Sequence, residues 1–351
     1  MIPTEPIGSI PRPPELVAAI RGGAGPDALA PLLDAAVRAT VAAFEASGSP
    51  VISDGEQGKL DNFWCYPVHG CANTAPDGFH IPLPVGAGGR QHRMPRLTHG
   101  PFGYARHADG FLRAAQRHAT RPLKQAVISP SALSLMYPPE GLPGYPREQF
   151  LEDLVREHET EIRRCLEAGA HKVQVDFAEG PLAMRLDPSG ALLASFVHLN
   201  NMALGRFSDA ERALIGLHVS PAGVGGGDVD YADLLPTLFE IRAGSFYIAM
   251  AGQPDPERVL RIARDYARPG QRVFVGVTDP RDARVESAQQ VRDRVLLASR
   301  YLEPGRLGTT DDAGFAPFFD DDSLSRATAF AKVRARVEGT RLAAALLQGA
   351  A

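Results

Sequence analysis

The sequence predicts an α/β protein built as a single (β/α)8 TIM barrel with an extended excursion after its second strand, and three observations carry that expectation. Short β-branched runs alternate with longer helical patterns that bear charge on one face, the arrangement of parallel strands joined by crossover helices. There are roughly eight such runs, which is what closure of a barrel requires. The chain has 351 residues, above the ~100–200 of an ordinary domain but within what α/β barrels reach as one unit. One domain over 1–351 is therefore expected.

In chain order the expected strands are Ile2–Ser9, Pro50–Asp54, Lys124–Ser129, His171–Asp176, Leu214–His218, Phe246–Ala251, Arg272–Thr278 and Arg306–Thr310. Helices fill the intervals. In Arg147–Ala168, Phe150, Leu154, His158, Ile162 and Leu166 recur every fourth residue among Glu and Arg, and Gly169 ends the run with a residue at ease at positive φ. Leu60–Gly100 breaks the rhythm, being rich in Pro, Gly and His with extended pieces at Phe79–Leu83 and Met94–Thr98. It is too short to bury a core of its own and reads as an excursion over the barrel mouth. Gly223–Gly227 follows the fifth strand without the Lys-Ser/Thr of a phosphate-binding loop, and reads as a mobile loop. No internal repeat, low-complexity tract or linker interrupts the chain.

Composition narrows the partners. Lys and Arg number 37 against 41 Asp and Glu, a formal net charge of -4, which leaves no basic stripe for nucleic acid. A small-molecule substrate is expected, and self-association into a homo-oligomer stays open. Hydrophobic residues at 44% suffice for a core without disulfides or structural metals. Cys65, Cys71 and Cys165 form an odd set with no secretory context, so a cytoplasmic protein without a disulfide framework is expected. Met1–Pro6 has neither the basic nor the apolar region of a signal peptide, and no apolar run approaches the ~18 residues of a membrane span.

In such a barrel the residues at the C-terminal strand ends face a shared mouth. Those residues are Ser9, Asp54 and Glu56, Ser129 and Ser131, Asp176 and Glu179, His218 and Ser220, Gln253, Asp279 and Arg281, and Asp311 and Asp312. Any one carboxylate among them also suits a helix N-cap or a structural ion pair. The weight lies in the collective pattern, since nearly every strand delivers a polar group to one end.

At these same ends, Ile7-Gly8-Ser9, Asp54-Gly55-Glu56, Val173-Gln174-Val175-Asp176 and Gly308-Thr309-Thr310-Asp311-Asp312 resemble the catalytic domain of cobalamin-independent methionine synthase, over Ile2 to about Glu338. The likeness is nearest to stand-alone bacterial relatives that lack the N-terminal barrel, within a superfamily that also holds uroporphyrinogen decarboxylase. It implies that Ile7, Gly8, Ser9, Glu56 and Asp176 hold the ammonium and carboxylate of an amino acid. The chemistry agrees, because anionic side chains suit an α-ammonium while a hydroxyl and backbone N–H groups suit a carboxylate. Asp279 and Asp311 are further substrate-binding candidates.

The resemblance also implies a zinc ion that turns the homocysteine sulfur into a thiolate, and here the chain departs from the family. His218-Val219-Ser220 stands for the family's His-x-Cys, Gln253 follows the sixth strand where a Glu is expected, and Ala313 replaces the last Cys. Only His218 remains, and zinc needs about three or four protein ligands, so no metal and no resident cofactor are expected. Asp279-Pro280-Arg281 replaces the family's Asp-x-His with a fixed cation. Ser129–Leu133 lacks a pterin-stacking Trp, and the single Trp64 lies in the excursion. A folate-type methyl donor stays open, with Tyr137 able to stack. Cys65, His69 and Cys71 offer three alternatives: a relocated metal site completed by His218 or His80, ordinary buried small residues, or a thiol nucleophile.

The expected function is metal-free acid/base chemistry of a lyase or transferase type on a small amino-acid- or thioether-like substrate, in specialised metabolism. His218 is the general acid or base, Asp176 and Glu56 the anchors, and Arg281 the stabiliser of developing negative charge. Methyl transfer to a thiol such as homocysteine, or non-catalytic amino-acid binding, are the alternatives.

Overall fold

A computed structural model describes residues 2–60, 62–81, 92–221 and 229–349. Its centre is a six-stranded, wholly parallel sheet in sequential order. The strands are β1 (Lys124–Ile128), β2 (Lys172–Phe177), β3 (Ile215–Val219), β4 (Ser245–Ile248), β5 (Arg272–Gly276) and β6 (Leu307–Thr310). Each matches an expected strand to within a few residues at its ends. Apart from Arg272, every residue of these strands is buried, as befits strands covered on both faces.

Two further segments flank this sheet. Thr4 makes a parallel bridge to Thr309 of β6, with the Glu5 N–H donating to the Thr309 carbonyl at 3.0 Å. Ile52 makes a parallel bridge to Leu123, and the Lys124 N–H donates to the Ile52 carbonyl at 2.9 Å. The expected strands Ile2–Ser9 and Pro50–Asp54 are thus reduced to single bridges. Pro3 and Pro6 explain the first, since each removes a ladder donor. The two segments approach each other where the Ile10 N–H donates to the Gly55 carbonyl at 3.1 Å and Ser53 Oγ to the Gly8 carbonyl at 3.0 Å.

Helices alternate with the strands. Arg147–Glu167 buries Phe150, Leu154, His158, Ile162 and Cys165 on one stripe, and Gly169 stands just beyond its end at a φ of 85°. The C-terminal helix Arg326–Gly349 packs along Ala288–Ala298 and the outer side of β6, where Thr309 Oγ1 meets Thr340 Oγ1 at 2.8 Å.

The excursion forms two antiparallel pairs, Thr74–Ala75 with Arg96–Leu97 and His80–Ile81 with His92–Arg93. Trp64, Tyr66, Val68, Met94 and Leu97 join the main apolar core, which is how a segment of this length gains a buried face. The end of the expected Phe79–Leu83 piece, the side chain of His80 and Gly223–Gly227 lie outside the described residues. Among the described residues no helix is long and apolar enough to cross a membrane.

Candidate active site

The first wall of the site is the turn after Ile52. Ser53 Oγ accepts the Gly55 N–H at 3.1 Å and Asp54 Oδ1 accepts the Glu56 N–H at 3.0 Å, closing a tight turn through side chains. Gly55 sits at a φ of 69°, and a Cβ there would lie 2.5 Å from Thr40 Cγ2, so only glycine fits. Glu56 follows at a φ of 57°, a left-handed conformation that a non-glycine residue holds only when its surroundings impose it. Arg12 imposes it. Its buried guanidinium donates to the carbonyls of Glu56 (2.6 Å), Lys59 (2.7 Å), Phe318 (3.1 Å) and Gln57 (3.3 Å).

The turn presents the Glu56 carboxylate to Gly8, whose missing side chain makes the room: a Cβ on Gly8 would lie 3.1 Å from Glu56 Oε1. Lys59 Nζ stands 3.4 Å from the same oxygen, with both side chains buried. The Lys59 ammonium lies over the Tyr66 ring, 4.9 Å from its centroid, and has no hydrogen-bond partner among the described residues. Burial pushes the Glu56 carboxyl up to about 7, helped by Asp176 and Asp54 and opposed by Lys59 and Arg12. Burial also raises Asp54, whose Oδ2 is unpartnered among the described residues.

The second wall comes from β2 and β3, where Asp176 and His218 are register partners and so project from neighbouring strands to one face. His218 Nδ1 lies 3.0 Å from Asp176 Oδ1, and both residues are buried. Asp176 Oδ1 also accepts from Gln174 Nε2 at 2.7 Å. His218 Nε2 is buried without a partner among the described residues. A carboxylate on Nδ1 leaves Nε2 as the ring position that can take or give a proton.

The remaining expected residues fall in separate places. Ile7 packs on Tyr247 and Phe274, and its carbonyl accepts from Gln174 Nε2 at 3.0 Å. Ser9 Oγ accepts the Ala316 N–H at 3.2 Å, tying the first segment to the loop after β6. Asp279 and Arg281 pair with each other at 3.1 Å, and the half-exposed guanidinium also reaches the Gly252 carbonyl at 3.1 Å. Asp311 turns toward the helix layer, 3.4 Å from the wholly buried Arg336, and accepts from Thr278 Oγ1 at 2.7 Å. Its neighbour Asp312 accepts the N–H groups of Met250 (2.8 Å), Ala251 (3.0 Å) and Gly252 (2.7 Å), so it fixes the loop after β4. Glu179 accepts from Ser129 Oγ at 2.6 Å and from Ser131 Oγ, which in turn accepts from Asn200. The sequence pattern therefore assembles Gly8, Glu56, Asp176 and His218, while Asp311 belongs to an ion pair with the outer helix.

At the four positions where the resemblance expects zinc ligands stand an imidazole, a hydroxyl, an amide and a methyl group: His218, Ser220, Gln253 and Ala313. Among the described residues no three His, Cys, Asp or Glu side chains are grouped to hold a metal ion. Cys65 is buried in the apolar core, His69 is exposed, and Cys71 Sγ lies 3.7 Å from the Gly103 carbonyl. Burial raises the Cys71 thiol, the opposite of what activates a nucleophile. Trp64 packs on Phe63, and Tyr137 spends its hydroxyl on the Tyr145 carbonyl at 2.8 Å.

Against known proteins, no family model and no curated protein matches the chain. Solved structures do. A B12-independent methionine synthase from Shewanella sp. W3-18-1, in complex with selenomethionine, superposes with a TM-score of 0.77 over 99% of both chains at 16% identity. The chain has the methionine synthase fold. A putative vitamin-B12 independent methionine synthase from Listeria monocytogenes gives 0.69 at 18% identity, covering 97% of this chain and 99% of that one. A methyltransferase from Methanosarcina mazei gives 0.54 at 13%, covering 97% and 93%. Within this fold, chemistry is decided by the side chains at the strand ends.

Those side chains include groups that sequence reasoning passed over. Lys59, three residues beyond Glu56, places a cation inside the site, and Arg12 holds the turn that carries both. Gln174 lay inside a recognised motif without a role. The available signal was charge where apolar residues belong: Lys124 and Lys172 begin strands whose other residues are buried.

Proposed function

We propose that this chain is a diverged enzyme of the methionine synthase-like group, a closed (β/α)8 barrel that performs metal-free acid/base chemistry on a small amino-acid- or thioether-like substrate. The observation that carries this reading is the buried His218–Asp176 pair with its unpartnered Nε2. Asp176 holds the imidazole with Nδ1 protonated, and Nε2 then removes a proton from the substrate or returns it to a leaving group. Asp176 stabilises the imidazolium that forms. Glu56, with its carboxyl pushed up to about 7 by burial and by Asp176 nearby, is a second proton site. The Gly8-Ser9 segment, which lies against Glu56 at Gly8, would meet the substrate's polar head.

A zinc-dependent reaction does not suit this donor set, because Ser220, Gln253 and Ala313 supply neither thiolate nor carboxylate. Metal analysis of the purified protein tests this directly, and stoichiometric zinc would overturn it. Thermal-shift titration with methionine, homocysteine and their desamino analogues tests the pocket. Stabilisation should vanish in Glu56→Gln and Asp176→Asn; if it is unchanged in both, the pocket lies elsewhere.

A second reading, methyl transfer to a thiol, is favoured by what the superposed structures are: methionine synthases and a methyltransferase. It asks His218 to deprotonate a thiol of ordinary pKa ~8.5, only a few per cent of which is ionised at neutral pH. Incubation with homocysteine and isotopically labelled methyl donors separates the two: labelled methionine that disappears in His218→Ala supports transfer, and its absence leaves the first reading.

A further inference from the structure

Beneath the Asp176–His218 pair lies a chain of hydrogen bonds that the proposed chemistry does not itself require. Gln174 Nε2 donates to Asp176 Oδ1 at 2.7 Å and to the Ile7 carbonyl at 3.0 Å, and Gln174 Oε1 accepts from Lys124 Nζ at 2.7 Å. All three groups are buried, and the Gln174 amide is wholly so. The Lys124 ammonium is held in turn. It lies 3.8 Å from Glu5 Oε2 and 3.9 Å from the centroid of the Tyr247 ring, and Glu5 is shared with Lys172 Nζ at 3.0 Å.

An amide has a donor end and an acceptor end, and its neighbours choose between them. Asp176 Oδ1 and the Ile7 carbonyl only accept, while Lys124, which burial pulls down to about 7 against the pull of Glu5, only donates in the ammonium form it holds below that pH. Every neighbour therefore demands the same orientation, with the NH2 toward Asp176. Reversal would set the amide oxygen against a carboxylate and a carbonyl, and the amide N–H groups against the ammonium. In a buried site each of those mismatches leaves a polar group unsatisfied.

We propose that Lys124 and Gln174 are positioning residues that fix the proton arrangement of His218. Lys124 locks the Gln174 amide, the amide N–H keeps Asp176 Oδ1 an acceptor, and that oxygen can then meet His218 only where Nδ1 carries the proton. The substrate-facing Nε2 is thereby left with its lone pair. The inference rests on the reading of His218 and Asp176 as the acid/base pair, but the tautomer it concerns can be observed without any substrate.

The test is ring-nitrogen NMR of protein labelled with 15N-histidine, with the His218 signals assigned by their loss in His218→Gln. The unmodified protein should show neutral His218 protonated at Nδ1. Lys124→Met and Gln174→Leu should each give a mixture of tautomers or a majority protonated at Nε2, while Lys124→Arg, which retains a donor-only cation, should restore the original pattern. Circular dichroism and melting temperature identify variants that fail to fold, and Gln174→Glu, nearly isosteric and still able to accept from Lys124, serves if Gln174→Leu does. In Gln174→Glu the N–H toward Asp176 is lost, and the Nδ1-protonated fraction should fall. The proposal is overturned if folded Lys124→Met and Gln174→Glu keep the tautomer of the unmodified protein, or if that protein is itself protonated at Nε2. If the tautomers change as expected while His218→Ala leaves turnover intact, the positioning stands and the acid/base assignment fails.

Discussion

Glu56 offers a test of the site that needs no substrate. Its carboxyl is lifted from an ordinary 4.5 to about 7 by burial, with Asp176 and Asp54 adding to the effect. At ~1.4 kcal/mol per pH unit, the folded protein favours the protonated form by about 3 kcal/mol relative to the unfolded chain. Below pH 4.5 the carboxyl is protonated in both states and adds no pH dependence. Between 4.5 and 7 the unfolded chain gives up the proton while the folded protein keeps it, so folding stability declines as pH rises, and above 7 the loss is complete. Glu56→Gln removes this titration. The attraction of Lys59, 3.4 Å away, acts only on the ionised carboxyl and is already among the influences that set its pKa, so it adds no separate pH dependence. Denaturant unfolding of both proteins from pH 4.5 to 8 should therefore show the variant gaining about 3 kcal/mol relative to the parent across that window. A difference that stays constant to within ~0.5 kcal/mol would refute the claim that this carboxylate is buried among like charges.

Two further substitutions probe the frame. Arg12→Met strips the donor from the carbonyls of Glu56, Gln57, Lys59 and Phe318, and a loss of ~3–5 kcal/mol is expected in denaturant unfolding. A loss below ~1 kcal/mol would mean that the turn holds itself without the guanidinium. Asp312→Ala leaves the N–H groups of Met250, Ala251 and Gly252 without their acceptor. Protease cleavage near Gly252 should accelerate at least tenfold, the equivalent of ~1.4 kcal/mol in local opening, and an unchanged rate would show that the loop does not depend on this carboxylate.

Strand placement was legible because burial on both faces selects apolar runs of a readable length, as in Arg272–Gly276, and because Lys172–Phe177 alternates Val and Phe with Lys, Gln and Asp at the period of a strand. The two flanking segments were harder to read. Pro3 and Pro6 preserve an extended chain but withdraw ladder donors, so a strand-like sequence yields only a bridge at Thr4. The polar strand ends were visible as a set, but their directions were not. Asp311 and Asp312 are adjacent and alike in sequence, yet one meets Arg336 of the last helix and the other the backbone after β4. Side-chain direction alternates along an extended chain, and the partner that fixes each direction lies on a distant element.

The same reasoning bears on the polar groups around His218. Random decay of a site leaves stranded polar groups, because a buried donor or acceptor whose partner disappears has nothing to replace it. Around His218 the opposite holds on one side. Nδ1 faces Asp176, Asp176 is met by Gln174, Gln174 by Lys124, and Lys124 by Glu5, an unbroken sequence of matched partners across the interior. Among the described residues, buried polar atoms without a hydrogen-bond partner include His218 Nε2 and Asp54 Oδ2, and also Gln125 Oε1, His158 Nδ1 and the Arg336 guanidinium elsewhere in the molecule. Burying such groups costs about 1–3 kcal/mol each, more for charges, unless something else completes them. The matched network behind His218 is what the proposed acid/base role requires, because a preorganised group keeps its proton arrangement only where its buried neighbours are themselves paired.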